Sequence, residues 1–237
     1  LHSGGEDNIF PHHECEIAQS CAFTGAPHFA RHWFHTRFLM VDGQKMSKSK
    51  GTFFTPRELM AKGHDPAAIR LELIKTHYRA NADFSLQGLK DSARTVERWR
   101  QFQTRANAGP AGPADLSGRD ALVTAMSDDL NAAGAIGAIN AWINARSQPT
   151  TGDAELFAAI DAVLGIASLK PLARQDTGIA VYLPGASPSG EVETLLAERR
   201  DAKNAKDFAR SDAIRDRLRD MGYAIKDMPG GRVEVGP

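Results

Sequence analysis

FLMVDGQKMSKSKGTFF, residues 38–54, joins a short apolar segment to a turn signal and then to a cluster of lysines. The apolar residues 38–41 predict a short buried strand, and Asp42-Gly43 is typical of a tight turn. Lys45, Lys48 and Lys50 follow within six positions. This stretch is either a solvated surface turn or the binding site of a ligand that carries several negative charges.

The lysines at positions 45 and 48 suit a single triphosphate. On a loop flanked by glycines, two ammonium groups three residues apart can contact the same ligand. Negative charge accumulates on the phosphate oxygens as pyrophosphate leaves, so fixed cations stabilise the transition state more than the ground state. We therefore predict that Lys45 and Lys48 bind a triphosphate and act as catalytic residues.

The composition of the 237 residues is that of an ordinary soluble chain, and its net charge of zero hides a basic middle. Residues 31–100 carry 14 Lys and Arg against 7 Asp and Glu. This local excess predicts either a polyanion site or a solvated charged face. No apolar run reaches the roughly 18 residues of a membrane span, no secretory signal is visible, and the first residue is Leu1 rather than Met, as expected of a cut or processed end. With only Cys15 and Cys21 as cysteines, we expect a reducing, cytoplasmic location.

The pattern of residues predicts an α/β front followed by helices. Leu1 to Asp7 indicates a strand that runs into a Gly4-Gly5 turn, and Asn8 and Pro11 indicate the start of a helix that continues to about Cys21. Further helices are predicted over 87–106, 119–146 and 153–167, with a helical hairpin over 191–221. Residues 171–192 contain prolines and glycines and are typical of a linker.

The segment HSGGEDNIFPHHECEIAQS, residues 2–20, contains two candidate sites. Gly4 and Gly5 would let the backbone approach a ligand closely, and Asp7 could accept hydrogen bonds from ribose hydroxyls, although an ordinary turn explains the same residues. On a helix that starts at Pro11, His12 and Glu16 share one face and could bind a Zn²⁺ ion together. Cys15 could point toward the same place. A structural or capping role explains this pair equally well.

The tail predicts a helix with an aromatic residue outside its packing face. Over about 206–221, the packing stripe contains Ser211, Ile214, Leu218 and Met221, and Phe208 and Asp212 lie away from it. An exposed aromatic ring beside polar groups suits stacking on unpaired bases. An exposed Phe at a domain interface is the alternative.

Taken together, these motifs resemble cysteinyl-tRNA synthetase, a class I aminoacyl-tRNA synthetase, of which KMSKS is a signature. The resemblance continues through AIRLELIKTHYRANADFS, AMSDDLNAAGAI and KDFARSDAIRDRLRDMGYAI. It implies that the α/β front is the C-terminal part of a Rossmann-type catalytic domain and that the rest consists of mainly α domains. The implied domains are a catalytic part with the KMSKS loop (1–55), a stem-contact segment (56–90), a helical bundle (91–175), a linker (176–190) and a small anticodon-binding domain (191–237).

The resemblance also implies roles for individual residues. It implies that His12 and Glu16 are ligands of one zinc ion, together with two cysteines further upstream, and that this ion binds the thiolate of substrate cysteine. The implied ATP-binding residues are Gly4, Gly5, Asp7, His35 and Lys48, with ATP entering as substrate with Mg²⁺. The implied tRNA-binding residues are Lys203, Phe208 and Asp212, and the basic segment 57–100 would contact phosphates of the tRNA stem.

The chain departs from the family at several points. It has Ser3 where the family has a glycine, and Cys15 where the family often has Asn. It lacks the HIGH-type motif and an upstream cysteine ligand, so we expect it to be the C-terminal half of the enzyme. The expected function is ATP-dependent ligation of L-cysteine to tRNA(Cys) through a cysteinyl-adenylate, by a protein that is monomeric at full length and has no membrane partner. The alternatives are a cysteine ligase that acts on a sugar amine, as in mycothiol synthesis, and a non-catalytic tRNA-binding module.

Overall fold

The computed structural model describes residues 1–41, 43–46, 54–171 and 173–237, and for Lys45 it describes the backbone only. The chain divides into two compact units. Unit 1 comprises Leu1–Phe53 and Arg70–Ser168, and unit 2 comprises Phe54–Ile69 and Leu169–Pro237. Among the helices of the described residues, none is both long enough and apolar enough to cross a bilayer.

The front of unit 1 contains two small sheets. The first is a parallel pair of strands with α1 between them in sequence, formed by β1 (His2–Gly5), α1 (Glu14–Thr24) and β2 (Trp33–Thr36). The second has the order β4-β3-β5, with β3 parallel to β5 and antiparallel to β4, and consists of β3 (Leu39–Val41), β4 (Gln44–Lys45) and β5 (Ala82–Phe84). The predicted strand at 38–41 is therefore confirmed. Gly43 has φ +75° before β4, a conformation that glycine adopts readily.

The predicted start of the first helix is wrong. A 3-10 turn at Glu6–Asn8 and a π-type turn at Ile9–His13 precede α1, which begins only at Glu14. Phe10 has φ −134° and ψ 133°, which is extended backbone, and the Asn8 side chain makes no cap hydrogen bond. Gly4 and Gly5 lie within β1 rather than in a turn. His12 consequently lies before the regular helix that carries Glu16.

The helices of unit 1 that follow β5 agree with the predicted helices except at one break. The predicted helix over 119–146 is two helices, because the backbone at Asp129 and Leu130 is left-handed and the Asn131 side chain accepts the Gly134 N–H to start a new helix. The helices are α4 (Leu86–Asn107), α5 (Ser117–Ser127), α6 (Ala132–Ala145) and α7 (Thr151–Leu164), while α3 (Pro66–Ile74) contains the boundary between the units.

Aromatic side chains form the centre of the helical part of unit 1. Trp99 and Phe102 of α4 are fully buried, and both contact Phe157 of α7 edge to face, with ring centroids 5.9 and 5.4 Å apart. Phe102 also contacts Trp142 of α6. The Trp99 indole N–H donates to Asn140 Oδ1 at 2.8 Å, so the polar edge of the buried ring is satisfied.

Unit 2 packs a helical hairpin against a four-stranded sheet. Its elements are α2 (Pro56–Ala61), β6 (Gln175–Asp176), β7 (Ala180–Tyr182), α8 (Gly190–Asn204), α9 (Phe208–Asp220), β8 (Ala224–Asp227) and β9 (Val233–Gly236). The strand order is β6-β7-β9-β8, with β7 parallel to β9. The hairpin predicted at 191–221 is confirmed. The segment 176–190 contains β7, whose Ala180 and Tyr182 are buried in the core, and is therefore not a simple linker.

Candidate functional site

The glycines of β1 give two side chains room to approach the strand. Gly4 pairs with His35 of β2. A Cβ atom on Gly4 would lie 2.9 Å from Cε1 of His13, and one on Gly5 would lie 2.5 Å from Oδ1 of Asp7. Both distances are shorter than a carbon atom allows, so any other residue at these positions would displace His13 or Asp7.

Three histidines and a glutamate gather beside these glycines. His13 is buried, and its Nδ1 lies 2.8 Å from Nε2 of His35, a hydrogen bond in which one ring donates to the other. The His2 ring meets the His13 ring edge to face, with centroids 4.8 Å apart. Nε2 of His2 lies 2.7 Å from Oε2 of Glu16. Three imidazole rings thus connect β1, β2 and the turn at Ile9–His13, and the Glu16 carboxylate joins them to α1.

Part of this cluster has the composition of a metal site. Ligand atoms of His2, His13 and Glu16 all lie within 4.8 Å of one another. Glu16 Oε2 is buried and, within the part of the chain that the structure describes, makes no well-aligned hydrogen bond, although Nε2 of His2 lies 2.7 Å away. Two imidazole nitrogens and one carboxylate oxygen fit a zinc ion and would leave a fourth coordination position open, as in catalytic zinc sites.

The structure places only one of the two predicted metal ligands in this group. Glu16 belongs to it, but the neighbouring histidine is His13, while the side chain of His12 is exposed. Because α1 starts at Glu14, His12 and Glu16 are not successive turns of one regular helix. Cys15 is exposed and Cys21 is partly buried, and both are free thiols. Sequence reasoning missed His2, which lies in β1 and is separated from Gly4 by Ser3.

Replacing Glu16 by Gln is expected to weaken zinc binding by about 10- to 100-fold, because the neutral amide is a far poorer ligand than the carboxylate. Zinc content after dialysis against a zinc buffer, measured by mass spectrometry, checks this. Glu14→Gln is the matched control, since Glu14 is exposed in the first turn of the same helix. Equal zinc content in the two variants would contradict the metal site.

The same measurement on His12→Asn and His13→Asn separates the two assignments. The resemblance implies loss of zinc for the first variant, and the geometry of the cluster implies loss for the second. Glu16 is common to both assignments, so its variant serves as the reference for complete loss of a ligand.

The lysine loop is described only at its start. The backbone of Lys45 lies in β4, where Lys45 pairs with Met40 of β3. The Lys45 side chain and Lys48 lie outside the described residues. Their predicted contact with a triphosphate therefore stays a prediction.

In unit 2, the predicted tRNA-binding residues occupy two helices. Phe208 is 65% exposed at the start of α9, and Asp212 is exposed and pairs with Arg215. Ser211, Ile214 and Leu218 are buried, which confirms the predicted packing stripe, whereas Met221 is 36% exposed. Lys203, near the end of α8, instead donates to Asp227.

Asp227 is the centre of a charged cluster that the sequence analysis did not identify. It accepts from both terminal nitrogens of Arg199, at 2.8 and 3.3 Å, and from Lys203 Nζ at 2.6 Å. The Arg199 side chain is buried, and the cluster borders a cavity of about 120 Å³ that Asn204 and Arg232 also line. The signal that could have found it is the KDM segment, residues 226–228, in which Lys226 and Asp227 end β8.

Unit 2 is expected to lose stability in acid. Hydrogen bonds from Arg199 and then Lys203 lower the pKa of Asp227 well below its usual range. A lowered folded-state pKa contributes stability above the unfolded-state pKa of about 3.9, and this stability is lost as the pH falls below that value. Urea unfolding between pH 7 and pH 3 should therefore show that wild type exceeds Asp227→Asn in stability at neutral pH and that the difference shrinks in acid.

Some acid sensitivity should persist in Asp227→Asn. The Gly178 N–H and the Arg232 guanidinium lower the pKa of Asp176, which the variant retains. A stability difference between wild type and Asp227→Asn that stays constant from pH 7 to pH 3 would contradict the assigned role of Asp227.

Two family models match separate parts of the chain. Residues 1–94 match the family model of the class I tRNA synthetase (C) catalytic domain, and residues 187–235 match that of the cysteinyl-tRNA ligase anticodon binding domain. The fold is similar to that of the LeuRS of Agrobacterium radiobacter K84, solved in a ternary complex with tRNA and LeuAMS. The TM-score is 0.51 at 16% identity, over 99% of this chain and 38% of that one.

Curated relatives share sequence along nearly the whole chain. A cysteine–tRNA ligase of Acidiphilium cryptum is 40% identical over 233 residues, which is 98% of this chain and 49% of the relative. Those of Rhodospirillum rubrum and Pseudomonas aeruginosa are each 38% identical, over 98% of this chain and 50% of the relative. The chain spans about half the length of the curated relatives it matches. In motifs, fold and sequence, the chain is therefore similar to one half of the cysteine–tRNA ligases, which are class I aminoacyl-tRNA synthetases.

Proposed function

We propose that the chain is the C-terminal half of an enzyme that activates L-cysteine with ATP and transfers it to tRNA(Cys). The observation that carries the proposal is the cluster of His2, His13 and Glu16 beside the glycines of β1. This cluster lies in the part of the chain that resembles a class I catalytic domain, and the same chain resembles an anticodon-binding domain at residues 187–235.

Selection of cysteine would depend on its sulfur. A zinc ion bound by these residues supplies a bond to the substrate thiolate, which serine cannot form. Glu16 provides the negative charge and His2 and His13 provide neutral nitrogens. The proposed ligands come from β1, from the turn at Ile9–His13 and from α1, so they would hold the sulfur beside the Gly4–Gly5 backbone. Discrimination against serine would then need no separate editing step.

The nucleotide would bind along the carboxyl end of β1. Gly4 and Gly5 leave the strand open to close approach, and the exposed Asp7 carboxylate can accept hydrogen bonds from the ribose hydroxyls. His35 is hydrogen-bonded to His13 and so joins the sulfur site to the nucleotide site. Lys45 and Lys48 would hold the triphosphate of ATP, which enters with Mg²⁺, while pyrophosphate leaves.

Recognition of tRNA would use both units. In this proposal residues 1–55 form the catalytic part, 56–90 contact the stem, 91–175 form a helical bundle and 191–237 bind the anticodon. The exposed ring of Phe208 can stack on an unpaired base, Asp212 can accept from a base edge, and Lys203 can contact a phosphate or a base. Replacing Phe208 should therefore reduce aminoacylation without changing adenylate formation.

The deciding experiment is cysteine-dependent ATP–pyrophosphate exchange. The chain is assayed alone and together with a separately produced upstream half of the Acidiphilium cryptum ligase, with serine in place of cysteine as the control. We expect exchange only with the upstream half and only with cysteine. Absence of exchange in the combined sample would overturn the proposal. Exchange by the chain alone would overturn the idea that the active site is shared between this chain and the upstream half.

A sugar-amine ligase would pass the same exchange assay but would not charge tRNA. The resemblance of residues 187–235 to an anticodon-binding domain weighs against that alternative. A non-catalytic tRNA-binding module would bind tRNA and fail the exchange assay. Charging of tRNA(Cys) with labelled cysteine therefore completes the test.

A further inference from the structure

The break between α5 and α6 holds two non-glycine residues in a left-handed conformation. Asp129 has φ +51° and Leu130 has φ +54°. This region is costly for residues with a Cβ atom, and such residues persist where their surroundings hold them in place. The Leu130 side chain is half-exposed, so its packing does not explain the left-handed backbone between α5 and α6. The contacts of Asp129 supply the reason.

Three consecutive residues converge on Asp129. Tyr78 Oη donates to Asp129 Oδ1 at 2.5 Å, and Arg79 Nε donates to Oδ2 at 2.5 Å. His77 Nε2 lies 3.0 Å from the backbone carbonyl oxygen of Asp129. The Arg79 guanidinium also lies over the Tyr78 ring, 5.1 Å from its centroid. Asp129 thereby fixes the segment 77–79, which follows α3.

That segment in turn contacts β2. The Tyr78 ring stacks on Phe34 with centroids 4.3 Å apart, and the Tyr78 carbonyl accepts the Arg37 N–H at 2.8 Å. Successive residues of a strand point to opposite faces, so Phe34 faces Tyr78 while His35 faces the other side. On that side His35 bonds to His13. A contact path therefore runs from Asp129 through Tyr78 and Phe34 to the candidate site.

Global stability alone does not account for this arrangement. The Arg79 and Asp129 side chains are 65% and 46% exposed, and exposed ion pairs contribute little to the free energy of unfolding. The left-handed backbone works against stability. The contact requires a strained backbone and contributes little to the free energy of unfolding. It is therefore better explained by the segment that it holds in place.

We propose that Asp129 is a positioning residue, which clamps segment 77–79 against Phe34 and so sets β2 and His35 relative to His13. The inference rests on the proposed function only for its effect on catalysis. The positioning of β2 itself is independent of substrate. A strained turn outside the site would thus fix the distance between the sulfur and nucleotide parts of the site.

The test uses three variants of the chain combined with the upstream half. Asp129→Gly removes the carboxylate but accepts the left-handed backbone. Leu130→Gly relieves the same kind of strain without touching the clamp and is the matched control. Asp129→Asn tolerates the left-handed region and can still accept from Tyr78, but it loses the charge that pairs with Arg79.

The first readout is amide hydrogen exchange of the peptide that covers residues 33–37. We expect Asp129→Gly to accelerate it about tenfold while the buried part of α4 stays protected, because only local opening is affected. Leu130→Gly should match wild type, and Asp129→Asn should lie between. Unchanged protection of 33–37 in Asp129→Gly, or a uniform loss throughout unit 1, overturns the proposal.

The second readout is the ATP–pyrophosphate exchange rate. Misplacement of His35, an expected ATP-binding residue, should lower kcat/KM for ATP about tenfold in Asp129→Gly, and Asp129→Asn should recover part of the loss. Equal kcat/KM for ATP in Asp129→Gly and wild type overturns the effect on catalysis. If wild type combined with the upstream half shows no ATP–pyrophosphate exchange, the proposed function fails. The hydrogen-exchange comparison then still decides whether Asp129 positions β2.

Discussion

Lys48→Ala should lower the rate of cysteine-dependent ATP–pyrophosphate exchange about 100-fold. Loss of one preorganised cation at a developing negative charge raises the barrier by about 3 kcal/mol. The effect should fall mainly on kcat, because the charge on the phosphate oxygens grows as pyrophosphate leaves. Steady-state exchange by the chain combined with the upstream half, at varied ATP concentration, measures both constants.

Lys50→Ala is the matched control for this prediction. Lys50 lies in the same lysine cluster, carries the same charge and stands outside the KMSKS pentapeptide. Loss of the Lys50 charge should change the rate of ATP–pyrophosphate exchange only a few-fold, through the summed electrostatic field of the lysine cluster. Equal effects of the two substitutions would show that the loop acts through its total charge and that Lys48 has no specific role.

Trp99→Ala is expected to lower the free energy of unfolding by about 3–5 kcal/mol, the range for removing a buried Trp. The ring is fully buried, packs edge to face on Phe157 and donates to Asn140, so the substitution leaves both a cavity and an unpaired acceptor. Urea unfolding followed by circular dichroism measures the loss.

Two further variants test the cause. Trp99→Phe retains an aromatic ring but loses the hydrogen bond to Asn140, so its effect should be intermediate. Leu86→Ala removes an apolar side chain from the same helix at a half-exposed position and should cost under about 1 kcal/mol. A loss for Trp99→Ala as small as that for Leu86→Ala would contradict the assigned core.

The sequence predicted those elements whose signals are local. The apolar residues 38–41 and Gly43 identified β3 and its turn, and the spacing of apolar residues identified α4 and the stripe of Ser211, Ile214 and Leu218. In each case the residue type and the period of the pattern already determine which side is buried. The order of the motifs resembles that of a known family, and this resemblance added the domain types that the family models match.

Elements that depend on distant contacts were predicted less well. The break at Asp129 follows from contacts with Tyr78 and Arg79, far back in the chain, and no helix-breaking proline or glycine marks it. The strand β7 is short and stands among prolines and glycines, and it is defined by its partner β9. Local patterns carry no information about such partners.

The candidate site was predicted in composition more than in geometry. Glu16, Gly4 and His35 were identified and lie together, but the sequence analysis paired Glu16 with His12 at i, i+4, whereas the structure brings His13, at i, i+3, to Glu16. The irregular turn at Ile9–His13 changes which histidine faces the site. Successive side chains of a helix are about 100° apart around its axis, so a site that uses His13 instead of its neighbour His12 has a different geometry.

The position of β9 in the sheet has a consequence for biosynthesis. β9 lies between β7 and β8, yet its residues Val233–Gly236 are synthesised after all other elements of unit 2. Until they leave the ribosome, β7 lacks the partner on one of its two edges, and the apolar Ala180 and Tyr182 stay without their neighbours Val233 and Val235. Trimming of the nascent or mature chain after Arg232 would therefore open the sheet at its centre and expose the core to chaperones and proteases, whereas losing an edge strand would only fray it.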